Sequence, residues 1–198
     1  MTKCIQRRVR GRRRSERGMS LLELMAALLI TVIGLTAITQ LLILAIATNN
    51  RNARDTTATL LAQKVIEQIA AINPATPNDI TVTDCAGNAH TISTTEGAAP
   101  AGAGADLVTN AGSKYYGGID QTQNFGNIPA DYSMLYVDCS DQGGVRTTYE
   151  VRWNIMTLRA GSTRLITASA RPAASNAGLL GGRRFAIPVN LRTIGATP

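Results

Sequence analysis

Residues 24–47 read LMAALLITVIGLTAITQLLILAIA, and no charged residue occurs between Glu23 and Arg51. About 20 apolar residues suffice to cross a bilayer core as a helix, so this run predicts a membrane-capable helix. Thr31, Thr36 and Thr39 can bond back to the helix backbone, which leaves Gly34 and Gln40 as its exceptions. Then the pattern changes to a stripe. Ala58, Leu61, Ala62, Val65, Ile69 and Ile72 recur at three- and four-residue steps, with Lys64, Glu67 and Gln68 on the other side. No Pro or Gly interrupts from Leu35 to Ile72, and Asn73–Pro74 ends the run. The two halves predict one helix of roughly 50 residues, about 80 Å long at 1.5 Å per residue.

Beyond Pro74 the period falls to two. DITVTD (79–84) and HTISTT (90–95) flank a turn and predict a hairpin. SMLYVDCS (133–140), TYEVRWNIMTL (148–158) and TRLITASARP (163–172) predict three longer strands. Val151, Trp153 and Ile155 fall on one face of the second, Arg152 and Asn154 on the other. RRFAIPVNLRT (183–193) reads as a last edge strand, because Pro188 cannot donate to a ladder. Between them EGAAPAGAGADLVTNAG (96–112) reads as an exposed Gly/Ala-rich loop extending to about residue 118. The expected fold class is α+β, a long N-terminal helix packed by its second half on an antiparallel sheet.

Charge sharpens the N-terminal reading. The formal net charge is +7 over 198 residues. Residues 1–18 hold eight basic residues against Glu16, and the remaining twelve basic residues balance twelve acidic ones. The basic excess is thus a block abutting the apolar run, which is the arrangement of a topogenic signal with the N-terminus kept in the cytoplasm. The body is neutral, so no nucleic-acid partner is expected. A secretory signal peptide cut after Ala45–Ala47 is the competing reading. The apolar run is about twice the 7–15 residue core of such a signal, and a secretory signal has no use for Glu23.

RGMSLLELMAALLI (17–30) resembles the prepilin signal of type IV pilins and type II secretion pseudopilins: a basic leader ending in Gly, a hydrophobic first mature residue, and Glu fifth in the mature chain. Gly18, Met19 and Glu23 fill those places. The resemblance implies cleavage between Gly18 and Met19 by a prepilin peptidase, N-methylation of Met19 and retention of the apolar helix. It also implies a pilin-like fold. A carboxylate at membrane depth costs on the order of 2–3 kcal/mol, and the new amine at Met19 of a neighbouring subunit would neutralise it. Glu23 would then set register between subunits. Many major pilins carry a helix-breaking Pro where Gln40 stands; here there is none.

The domain division expected on this basis is a cleaved leader (1–18), a transmembrane or filament-core half-helix (19–47), an amphipathic half-helix (48–73) and a periplasmic β-rich domain (74–198). Cys85 and Cys139 invite one disulfide if the body lies outside the cytoplasm; two separate thiols are the alternative. Chemistry is otherwise sparse. One histidine, His90, no CxxC, no HExxH, no GxSxG and no phosphate-binding GxxxxGK[ST] run give no catalytic site, no metal site and no cofactor. Asp138 and Asp141 near glycines read as an exposed turn rather than a calcium loop, and Tyr115 and Tyr116 as sheet or loop packing.

The expected function is therefore structural and not enzymatic: a minor pilin-like subunit of a type IV pilus, similar to the V type that takes part in assembly or initiation. A minor pseudopilin of the I type, from type II secretion, is the runner-up. A membrane-anchored binding module that never polymerises is the reading from another class. Expected partners are other pilins or pseudopilins through the N-terminal helix, the prepilin peptidase, and the inner membrane before assembly.

Overall fold

The structure, a computed structural model, describes residues 20–109, 116–139, 146–159, 163–173 and 188–196. Two compact units divide at Thr48/Asn49. One helix, α1 (Leu21–Ala70), supplies nearly all of the described part of the first unit and the opening of the second. In the first unit Thr31, Thr36, Thr39 and Thr48 return their hydroxyls to carbonyls three or four residues back, at 2.8–2.9 Å. The threonines therefore add no unpaired hydroxyl to an apolar surface.

In the second unit α1 buries the stripe Ala58, Leu61, Ala62, Val65, Ile66 and Ile69. Lys64 and Glu67 are exposed, as the sequence pattern places them, whereas Gln68 is partly covered. Each of Leu61, Val65, Ile66 and Ile69 contributes about 2 kcal/mol by leaving water. The helix ends where Asn73 and Pro74 forbid another turn: Ile72 donates back to the Ile69 carbonyl at 3.1 Å and Ala75 to the Asn73 side chain at 2.9 Å.

Among the described residues ten strands follow, namely β1 (Ile80–Thr83), β2 (Ala89–Ile92), β3 (Gly97–Ala98), β4 (Ala103–Gly104), β5 (Leu107–Thr109), β6 (Tyr116–Ile119), β7 (Ser133–Asp138), β8 (Thr147–Arg159), β9 (Thr163–Pro172) and β10 (Val189–Ala196). β1 and β2 form the expected hairpin, and β5 pairs with β6. The main sheet has the order β10-β9-β8-β3, with β7 and β4 also on β8. β7 takes β8 from Thr147 to Arg152, β4 takes Asn154 and Ile155, and β3 takes Met156 and Thr157. The pairs are antiparallel except β3–β8, which is parallel, so the sheet is mixed rather than purely antiparallel.

β8 is the spine of the core. Its Tyr149, Val151, Trp153 and Ile155 are at most 1% exposed and share one cluster with the helix stripe. Opposite Trp153 on β9 stands Ala168, and opposite Val151 stands Ala170, small residues that leave room for large ones. The Trp153 indole donates to the Ser93 carbonyl at 3.2 Å.

Three points correct the sequence reading or go beyond it. First, the Gly/Ala-rich stretch is no free excursion. Ala105 is fully buried, Asn154 donates its amide to the carbonyls of Ala101 and Ala105, and β3 and β4 are ladders on β8. Small residues serve close approach here: at Gly104, with φ of 110°, an added Cβ would lie 2.4 Å from the Trp153 carbonyl oxygen. Second, Arg152 and Asn154 lie on the second face as read, and both are 2% exposed, because Ala101, Ala105, Asp120 and Gln123 cover them there. Third, the last strand is Val189–Ala196, displaced toward the C-terminus of 183–193, and residues 183–187 lie outside the described residues.

Candidate functional site

The N-terminal half of α1 is apolar all round. Leu21, Met25, Leu28, Ile33, Leu41 and Leu44 are 58–78% exposed, and no residue from Ser20 to Ala53 is even partly covered by its own chain. Such a helix must be covered by lipid or by other helices. It is long and apolar enough to cross a membrane by length and composition. Glu23 stands in its first turn, with its own N–H bonded to the Ser20 carbonyl at 2.9 Å. A carboxylate there complements the positive end of the helix dipole. Gly34 has nothing within 4 Å of the position its Cβ would take, so its own chain does not require the gap. Gly18 and Met19 lie outside the described residues.

Past the apolar run the polar collar Asn49, Asn50, Arg51, Asn52 and Arg54 begins, with Arg51 3.9 Å from Asp55 one turn on. An exposed pair of this kind is worth well under 1 kcal/mol. Its value is in marking where the apolar surface ends.

In the body, Cys85 and Cys139 are joined in a disulfide with Cα atoms 6.0 Å apart, tying the β1–β2 turn to the end of β7. Beside it lies an arrangement that sequence pattern did not single out. The buried carboxylate of Asp84 accepts the N–H groups of Ala86 (2.9 Å) and Asn88 (2.8 Å) on Oδ1. Its Oδ2 accepts the Asn88 side-chain amide (2.9 Å) and the Val137 N–H (3.3 Å), and lies 3.2 Å from His90 Nε2. Burial alone would raise its pKa; the hydrogen bonds from Asn88, His90 and Val137 outweigh that and hold it well below the ordinary Asp range. The result is a structural clasp between the hairpin and β7.

A second network lies on the covered face of the sheet. Glu150 pairs with Arg152 and, at 2.9 Å, with Arg171. Arg152 also donates to the carbonyls of Asp120 (3.3 Å) and Gln123 (2.8 Å), and its guanidinium lies over the Phe125 ring at 5.8 Å. Asp120 is held below the usual carboxylate range, chiefly by the Thr122 hydroxyl and N–H and less by Arg152. These polar groups fasten Asp120, Gln123 and Phe125 onto the sheet. Among the described residues no three His, Cys, Asp or Glu side chains converge as a metal site. Asp141 and Tyr115 lie outside the described residues.

The structure thus places Glu23 at the head of a bare helix, and Cys85 and Cys139 together about the hairpin. Glu150 and Arg164 gave no signal in the sequence, because each acts through partners as far as 21 and 95 residues away, and Asp84 was missed although its partners are partly local. The short spacing Asp84-x₃-Asn88-x-His90 could have flagged an Asx-type turn. No curated protein and no solved structure matches the chain. Residues 13–39 match the family model of the prokaryotic N-terminal methylation motif, a signal that points to structural subunits. With its apolar helix this supports membrane anchoring in the manner of type IV pilins, and the chain bears a prepilin-type, type IV pilin-like N-terminus.

Proposed function

We propose that this protein is a minor pilin-like subunit of a type IV pilus, cut between Gly18 and Met19 by a prepilin peptidase and methylated on the Met19 amine. The leader (1–18) stays cytoplasmic, residues 19–47 span the inner membrane and then enter the filament core, and residues 48–73 carry the periplasmic body (74–198). The reading rests on one observation: a bare, uncharged apolar helix headed by a single carboxylate, inside a matched methylation motif. Uncompensated, Glu23 in an apolar bundle is costly; opposite the positive amine of a neighbouring Met19 it is neutralised, and only one axial register achieves that. The same N-terminal half suits an I-type pseudopilin equally, and operon neighbours separate the two.

The test is Glu23→Ala in the full chain. Membrane insertion should persist, since a charge is removed from an apolar segment, while incorporation into filaments is lost. Normal incorporation would overturn the register role of Glu23, and absence of the parent chain from filaments would favour the anchored, non-polymerising module. The intact mass of membrane-extracted protein gives an independent check: a chain starting at methylated Met19 agrees with the proposal, and one starting at Thr48 makes the helix a discarded export signal.

A further inference from the structure

Arg164 is a fully buried cation with no hydrogen-bonded carboxylate among the described residues. It opens β9 opposite Thr157, on the sheet face that carries Ile155 and Ile166. Its Nη2 donates to the carbonyls of both Ile69 and Ile72, and its Nη1 lies 3.5 Å from the Thr94 carbonyl oxygen. Ile69 lies in the last turn of α1 and Ile72 just past it, where backbone carbonyls have no partner within the helix. That last turn holds no basic residue of its own. The cation facing the negative end of the helix is supplied instead by a strand 92–95 residues later.

The arrangement is not what simple core filling would select. Burial opposes the charge, and Glu96 offsets it only through space. Arg164 Nε and Glu96 Oε2 are both buried without a hydrogen-bond partner. Replacing buried ions by apolar residues of similar volume is often neutral or stabilising. An apolar side chain, however, packs against any turn of a helix, whereas a guanidinium whose Nη2 holds two particular helix-end carbonyls while Nη1 faces the Thr94 carbonyl accepts one register.

We infer that Arg164 is a latch: it fixes which turn of the Asn49–Ala70 half of α1 lies on the sheet and holds the C-terminal end of that helix closed against β9. Load drawn along this half-helix reaches the sheet through those carbonyls as well as through apolar contacts, and the helix end is released when the guanidinium lets go. The inference does not depend on the filament reading.

Amide hydrogen exchange of the full chain in detergent tests it, comparing Arg164→Met and Arg164→Lys with the parent. Methionine keeps a shorter unbranched stem and loses the donors; lysine keeps the charge on one nitrogen, without the second nitrogen that faces the Thr94 carbonyl. In Arg164→Met the amides of residues 66–73 should exchange at least roughly tenfold faster, the loss of one or two charge-assisted hydrogen bonds, while residues 147–157 keep their protection. Arg164→Lys should lie between, and it carries the comparison if the methionine variant does not fold. Unchanged protection at 66–73, or an equal loss across the whole body, overturns the latch. Failure of both variants to fold does so too, because Arg164 would then be a general core requirement.

Discussion

The Asp84 clasp yields a magnitude that can be worked from geometry. Replacing Asp84 by Asn keeps the volume and the Oδ1 acceptor, and with it the bonds from the Ala86 and Asn88 N–H groups. The new amide nitrogen stands where Oδ2 accepted the Asn88 side-chain amide and the Val137 N–H, and two donors now face a donor. Hydrogen bonds to a charged group are worth about 1.5–3 kcal/mol each, so losing two destabilises by roughly 3–5 kcal/mol. Trp153, the only tryptophan and fully buried, reports unfolding by fluorescence in denaturant titrations of the full chain in detergent. The acid limb gives a second readout. Because the folded-state pKa of Asp84 is depressed, its contribution is complete above the unfolded value near 3.8 and is lost as pH falls below it. The parent should therefore weaken from about pH 4 downward, and Asp84→Asn should weaken less steeply there. The reasoning would be refuted by a variant within about 0.5 kcal/mol of the parent at neutral pH and with the same acid slope.

Cys85→Ser with Cys139→Ser, which opens a closure of 54 residues, should cost roughly 4 kcal/mol in the chain-entropy picture, read as a shifted denaturation midpoint. The bond should also appear as a two-proton deficit in the intact mass before reduction. Gly104→Ala demands an L side chain at φ 110° against the Trp153 carbonyl and the Tyr132 ring, and should cost more than about 2 kcal/mol by calorimetry. Ile155→Ala, at a fully buried site opposite Ile166, should cost about 2–5 kcal/mol in the same assay, whereas Leu135→Ala on the exposed side of β7 should change little.

The helix stripe was legible because it is a local property: Ala58, Leu61, Ala62, Val65 and Ile69 share a face through the 3.6-residue period alone. The long strands β7, β8 and β9 were legible for the same reason, since alternation and turn residues act over a few positions. The strap at 97–109 was not. Its Gly and Ala residues look like solvent-exposed linker, but small side chains also suit close approach to a neighbouring strand, and only the position of β8 separates those meanings. Arg152 shows the same limit. Alternation puts it on the second face, while its burial depends on carbonyls of Asp120 and Gln123 some 30 residues earlier.

By itself the chain determined its N-terminal signal: a basic block, Gly18–Met19, one carboxylate and an uninterrupted apolar run are contiguous, and the methylation motif they match needs no tertiary fold. The structure decided how the body is held. Asp84 meets Val137, Arg164 meets Ile69 and Ile72, and Glu150 gathers two arginines only because the sheet brings distant backbone together. Periodicity records which way a side chain faces, and a buried charge is decided instead by which partner waits there.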